Sequence, residues 1–266
     1  MKKKTIYLIY LLLLLILISI SQGLKPQKKN PSFIKQLQKD SIYKKENKNR
    51  YLSYKNKYPN KTNKSILINV NIGLDQKPYS NIKVINLPTK INTLVNKYNY
   101  LDKNYIPDDL ELITSNIKLR TIAKNYFEKL QNSAKKENLN IVPTSGYRSY
   151  SYQEKLYNNY VSIDGQDKAD TYSAKPGHSE HQTGLAIDIC TKEKTYTEFE
   201  STIEFKWMQE NAHKYGFILR YPKNKEHITT YQYEPWHYRY VGIDIATDIY
   251  KKQITFDEYY TLYLDK

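Results

Sequence analysis

With a single cysteine, Cys190, in 266 residues, the chain cannot form an intrachain disulfide. About 200 residues are enough to be held by a hydrophobic core alone, so the folded part must rest on burial rather than on cross-links. Cys190 ends an apolar run and reads as a buried structural thiol, not a nucleophile. No cysteine lies near the N-terminal apolar segment, which excludes a lipoprotein anchor. Internal repeats are absent, and so is any regular βαβ alternation. Acidic side chains are scarce only near the N-terminus. Residues 1–20 carry three lysines, and residues 21–64 carry thirteen basic against two acidic side chains. Those segments hold +3 and +11 of the net +15, leaving +1 for everything after residue 64. A nucleic-acid module would show a basic face on the folded domain, so that function is excluded.

What is present begins with Met1-Lys2-Lys3-Lys4 and a nearly unbroken apolar run from Ile6 to Ile20, a positive n-region followed by an h-region. Residues 1–23 are therefore expected to be a signal peptide or a short membrane anchor, and the protein to be exported. The run falls short of the roughly 20 residues that span a bilayer comfortably. Ser19-Ile20-Ser21 and Ser21-Gln22-Gly23 are both candidate cleavage sites, while Lys25, Lys28 and Lys29 leave the orientation of an anchor open. Residues 24–64, rich in Lys and Asn, read as a basic disordered linker that lies along anionic lipid headgroups or wall polymers by charge. Residues 65–90 read as an N-terminal extension, with a strand over Ile66–Gly73, and 91–266 as the main domain.

Within that domain a helix-period stripe runs through Leu119, Ile122, Ala123, Tyr126, Phe127 and Leu130. A strand over 140–144 leads into Ser145-Gly146-Tyr147-Arg148-Ser149. Ser151-Tyr152-Gln153-Glu154 has capping-box form and opens a helix, which sets Arg148 at a strand-to-helix junction. Residues 164–180 read as loop. Leu185-Ala186-Ile187 reads as a buried strand with Asp188 at its far end. Ser201-Thr202-Ile203-Glu204 opens a helix that Gly216 ends, Phe217-Ile218-Leu219 resumes a strand, and a last strand runs from Trp236 to Val241. The mixture predicts an α+β fold with a mainly antiparallel sheet flanked by helices.

The chemistry gathers in two runs, Ser179-Glu180-His181-Gln182-Thr183-Gly184-Leu185-Ala186-Ile187-Asp188 and Tyr233-Glu234-Pro235-Trp236-His237-Tyr238-Arg239-Tyr240. Two imidazoles, one carboxylate and a spare carboxylate are the parts of a hydrolytic zinc centre with an open position and its own base. Gly184 lets a loop and the following strand present His181 and Asp188 together, and Pro235 provides the kink that Glu234 and His237 need. His178 reads as pocket wall, since ligands at i and i+3 would crowd the open position. His213 and His227 read as bystanders, Tyr233 and Tyr238 as flanking the site, and Trp236 as core.

Residues 144–240 resemble the VanY-type D-alanyl-D-alanine carboxypeptidases, within the wider group of small zinc peptidases that includes the D-Ala-D-Ala dipeptidases. The matching segments are Ser145 to Ser149, Ser173 to Asp188 and Glu234 to Gly242. Asn96-Lys97-Tyr98-Asn99-Tyr100-Leu101 and Tyr105 to Leu110 extend the similarity, which covers about 90–260. The resemblance implies that His181, Asp188 and His237 hold Zn2+, with Glu234 as general base; exchange of the Glu234 and Asp188 roles is the competing assignment. It implies that Arg148 faces the substrate and stabilises the oxyanion. Gln153 and Ser179 are expected as further substrate contacts. The implied activity is removal of the terminal D-alanine from peptidoglycan stem peptides. An L,D-carboxypeptidase, an endopeptidase and a non-catalytic wall-binding module are the rivals.

Overall fold

The computed structural model describes residues 31–265. The expected signal or anchor, residues 1–23, lies outside them. Among the described residues no helix is long and apolar enough to cross a membrane. The chain divides into two units, 1–41 and 42–266. In the first, the helix Pro31–Leu37 is described.

The second unit begins with structure where a disordered linker was expected. Lys48–Lys57 and Asn63–Ile72 are helices, the latter capped by Thr62, whose side chain accepts from Ser65 N, and closed by Gly73 in the left-handed region. The expected strand over Ile66–Gly73 is thus a helix. Its Ile66, Leu67 and Val70 are all buried, an i, i+1, i+4 set that a strand would split between two faces. Tyr51 and Tyr54 of the first helix are buried too, and Asn69 Nδ2 donates to the Tyr54 hydroxyl at 3.0 Å. The lysines around these tyrosines mask two aromatic anchors, which is why composition alone suggests disorder.

The α+β expectation holds. The central sheet has the order β1-β2-β4-β3, with β1 Val142–Ser145, β2 Ala186–Cys190, β3 Phe217–Leu219 and β4 His237–Tyr240, all antiparallel. Alternation divides its residues between two faces. Ile187, Ile189, Phe217, Tyr238 and Tyr240 join the main core with Phe127 and Leu130 of the helix Thr121–Lys136 and Phe205 and Met208 of Ile203–Asn211. Asp188, His237 and Arg239 therefore belong to the other face. That opposite face is where the functional residues collect.

Several boundaries differ from expectation. The helix Tyr150–Asp164 is capped by Ser149, which accepts from Tyr152 N, and not by Ser151. Thr202 caps Ile203–Asn211, and the capping box in that region is Thr195 with Glu198, opening the 3-10 segment Tyr196–Ser201. The expected loop over 164–180 contains the helix Gln166–Tyr172, begun at Gly165. Asp188 sits in the middle of β2 rather than at its end.

Candidate metal centre

The sheet register sets two of the expected ligands side by side. Asp188 of β2 pairs directly with His237 of β4, so both side chains leave the same face at adjacent positions. His181 arrives from the 3-10 turn Glu180–Thr183, which Gly184 ends at φ +67°. Gly146 supplies the backbone carbonyl that orients it. A Cβ there would lie 2.4 Å from the Lys118 carbonyl oxygen, and the Gly146 carbonyl itself accepts from His181 Nδ1 at 2.6 Å. Gly146→Ala is expected to lower the urea midpoint and to weaken metal binding together, because the backbone that orients His181 must move.

One donor atom from each of His181, Asp188 and His237 lies within 4.8 Å of the other two. All three residues are buried, at 2%, 8% and 5% exposure. Since a carbonyl only accepts, the bond to Gly146 assigns the proton of His181 to Nδ1 and turns Nε2 inward, 3.3 Å from Asp188 Oδ2. His237 approaches with Nδ1, 3.1 Å from Asp188 Oδ1 and 3.6 Å from Glu234 Oε2. Asp188 Oδ1 is buried and has no hydrogen-bond partner. Two imidazoles and a carboxylate converging in this way fit a divalent metal of borderline softness such as zinc. Arg148 Nη2 donates to Asp188 Oδ2 at 2.7 Å and meets His181 Nε2 at 2.7 Å. Its guanidinium is held in turn by Ser145 Oγ and Gln153 Oε1.

The electrostatics follow from burial beside opposite charge. Burial alone would raise the Asp188 carboxyl, yet His181, His237 and Arg148 hold it well below the usual carboxylate range. His181 is lowered to about 4 by burial and the Arg148 charge. Burial pushes His237 down, but the carboxylates of Asp188 and Glu180 beside it outweigh that and raise it to about 9. At Glu234 burial outweighs the nearby charges of His237, Arg148 and Arg220 and lifts the carboxyl to about 8. All of these groups face a cleft of about 580 Å3, which Gln153, Ser179, Tyr160 and Trp236 also line.

Comparison with known proteins gives these positions a setting. The family model for the VanY D-alanyl-D-alanine carboxypeptidases matches residues 116–243. A Bacillus subtilis (strain 168) protein, YodJ, provisionally named a carboxypeptidase, is 44% identical over 198 residues, 70% of this chain and 72% of its own. The chain belongs to the VanY family. The solved LdcB LD-carboxypeptidase superposes with TM-score 0.65 at 42% identity, covering 70% of this chain and 92% of that one. A mutant VanY D,D-pentapeptidase from a VanB-type resistance cassette, solved with Zn(II), gives 0.57 at 34% identity, covering 63% and 97%. As a VanY-family member the chain is a metallopeptidase, and its own donor set is of the kind that takes zinc.

Around this VanY-type centre some expectations need correction. His178 is not cleft wall: it is buried, its Nδ1 bonds to the Asn96 carbonyl at 2.8 Å, and Tyr79 packs edge-on against it. Trp236 is not core; it is half-buried in the cleft lining, against Tyr196. Tyr238 belongs to the main core on the opposite sheet face. His213 stands away from the cleft as expected, stacked on Tyr250 at 3.9 Å. Sequence reasoning missed Tyr221, whose ring lies 4.9 Å from that of His237, and a buried charge cluster of Glu180, Arg220, Arg239 and Asp257. Two of the four, Glu180 and Arg239, stand inside the motif runs, where a charge among apolar neighbours is the available signal. Asp257 offers none.

The raised His237 also makes a prediction. Metal binding needs the unprotonated imidazole, and below about pH 9 the metal-free ring carries an extra proton. Zinc binding at pH 7 is therefore expected to release protons, and affinity to fall as pH drops. Calorimetric titration in buffers of different ionisation enthalpy measures the number released; a value of zero contradicts the assignment.

Proposed function

We propose that this chain is a zinc-dependent, extracytoplasmic D,D-carboxypeptidase that releases the terminal D-alanine of peptidoglycan stem peptides. The observation that carries the reading is the convergence of His181, Asp188 and His237 in a cleft that also presents Glu234 and Arg148. His181 through Nε2, Asp188 and His237 through Nδ1 hold the metal. Zinc, when bound, supplies a Lewis acid and an activated water. Glu234 takes a proton at its carboxylate from the nucleophile and returns it to the leaving amine; its buried, near-neutral acidity suits both halves of that shuttle. Asp188, already committed to two histidines and an arginine, is the poorer base, which argues against exchanging the two roles.

Arg148 presents fixed N–H donors to the scissile carbonyl and to the negative charge that develops there. Gln153, buried at 2% exposure, donates to the Ala174 carbonyl and accepts from Arg148, so it positions the arginine and the adjoining cleft wall. Ser179 contributes a polar contact in the same lining. The N-terminal apolar run exports or anchors the chain, and the lysine-rich residues after it contact anionic lipid or wall polymer by charge.

A second reading, an L,D-carboxypeptidase releasing D-alanine from tetrapeptides, has a specific observation behind it. LdcB shares more identity with this chain than the VanY D,D-pentapeptidase does, 42% against 34%. The ratio of kcat/KM on a pentapeptide ending in D-Ala-D-Ala to that on the corresponding tetrapeptide separates the two. A ratio well above one supports the D,D reading, and one well below it replaces that reading with the L,D enzyme.

A further inference from the structure

The charge cluster behind the metal centre lies outside the chemistry described so far. Glu180 and Arg220 have side chains with 0% exposure, as does Arg239. Glu180 Oε1 accepts from Arg220 Nε at 2.8 Å and has Arg239 Nη1 at 3.0 Å. Arg220 Nη1 donates to Asp257 Oδ2 at 2.6 Å, and Asn96 Nδ2 donates to Asp257 Oδ1 at 2.9 Å. Two guanidinium groups thus face two carboxylates, so Glu180 has its charge matched and is no spare base. Its second oxygen, Oε2, lies 3.6 Å from His237 Nε2, too long for a hydrogen bond as it stands. Both atoms are buried, and neither has another hydrogen-bond partner. A small side-chain adjustment joins them.

We propose that Glu180 is the positioning residue of the metal centre: it accepts the Nε2 proton of His237 and so keeps Nδ1 free to face Asp188, while Arg220, Arg239 and Asp257 hold its carboxylate from behind. A histidine that binds a metal through one nitrogen needs an acceptor for the other, and that partner fixes both tautomer and ring orientation. Glu180 is suited to this because it adjoins His181 in sequence and His237 in space, tying together the turn and the strand that supply two ligands. The inference rests on the metal reading proposed above.

Zinc affinity of the full chain, measured by chelator competition for wild type and Glu180→Gln, tests it. The expected result is binding weakened by about 10–100-fold in the variant, with the melting transition retained. Equal affinity in a folded Glu180→Gln overturns the positioning role while leaving the metal centre intact. Failure of the wild type to bind zinc sinks the metal reading itself. Should the variant not fold, nitrogen-15 NMR of the zinc-loaded wild type decides. A proton on His237 Nε2 supports the proposal, and one on Nδ1 overturns it.

Discussion

Glu234→Gln is expected to lower kcat on stem peptides by about 10²–10⁴-fold, the range over which a positioned acid–base group contributes, while zinc content stays at the wild-type level. The amide keeps the shape of the side chain but cannot accept and return a proton. Three observations support the proposed shuttle role of this side chain. It is buried at the metal-facing side of the cleft, 3.6 Å from His237 Nδ1, and burial holds its acidity near neutrality, at about 8 in the metal-free chain. A cation among the neighbouring donors lowers that value towards the working pH. The catalytic rate is therefore expected to rise with pH as the carboxylate forms, and the rising limb is expected to vanish in Glu234→Gln. Metal analysis of the purified variant alongside its kinetics checks both halves. An unchanged kcat, or loss of zinc from the variant, contradicts the role.

Asp188→Asn is expected to fail in the opposite order, losing zinc first and activity as a consequence. The change preserves volume in a pair register that sets Asp188 against His237, so the sheet need not rearrange. It removes the one negative charge that His181, His237 and Arg148 share. Without it, three nitrogen-bearing groups face one another in a buried site. On the proposed assignment the metal loses its anionic ligand as well, and the affinity loss is expected to exceed the about 10–100-fold typical of outer-shell changes. Zinc retention with lost turnover in Asp188→Asn, combined with zinc loss in Glu234→Gln, exchanges the two assignments. The pair of variants thus distinguishes ligand from base without reference to any relative.

How much of this was legible in the chain depends on the range of the interaction. Strand alternation is local: the buried strand was legible from Leu185-Ala186-Ile187, and the alternation puts Ile187 and Ile189 in the core while Asp188 turns to the site, as it does Tyr240 against His237. The junction carrying Arg148 was legible because the Ser145-Gly146-Tyr147-Arg148-Ser149 run and the serine after it mark a strand giving way to a helix, although Ser149 and not Ser151 is the cap. Helix starts slipped by one or two residues because serines and threonines adjoin one another, and only backbone geometry selects which one caps. The N-terminal helices were hidden by lysine and asparagine, since the tyrosines that anchor them are ambiguous by composition. The charge cluster was invisible for a different reason. Arg220 meets Glu180 forty residues upstream and Asp257 thirty-seven downstream, contacts that no periodicity reports.

The most direct test is mass spectrometry of the products when the full chain, zinc-loaded or chelated, meets a stem pentapeptide and the corresponding tetrapeptide. The expected result is loss of a single terminal alanine with zinc and none after chelation, restored when zinc is returned. Hydrolysis that survives chelation, or no product from either peptide with folded, zinc-loaded protein, would contradict it.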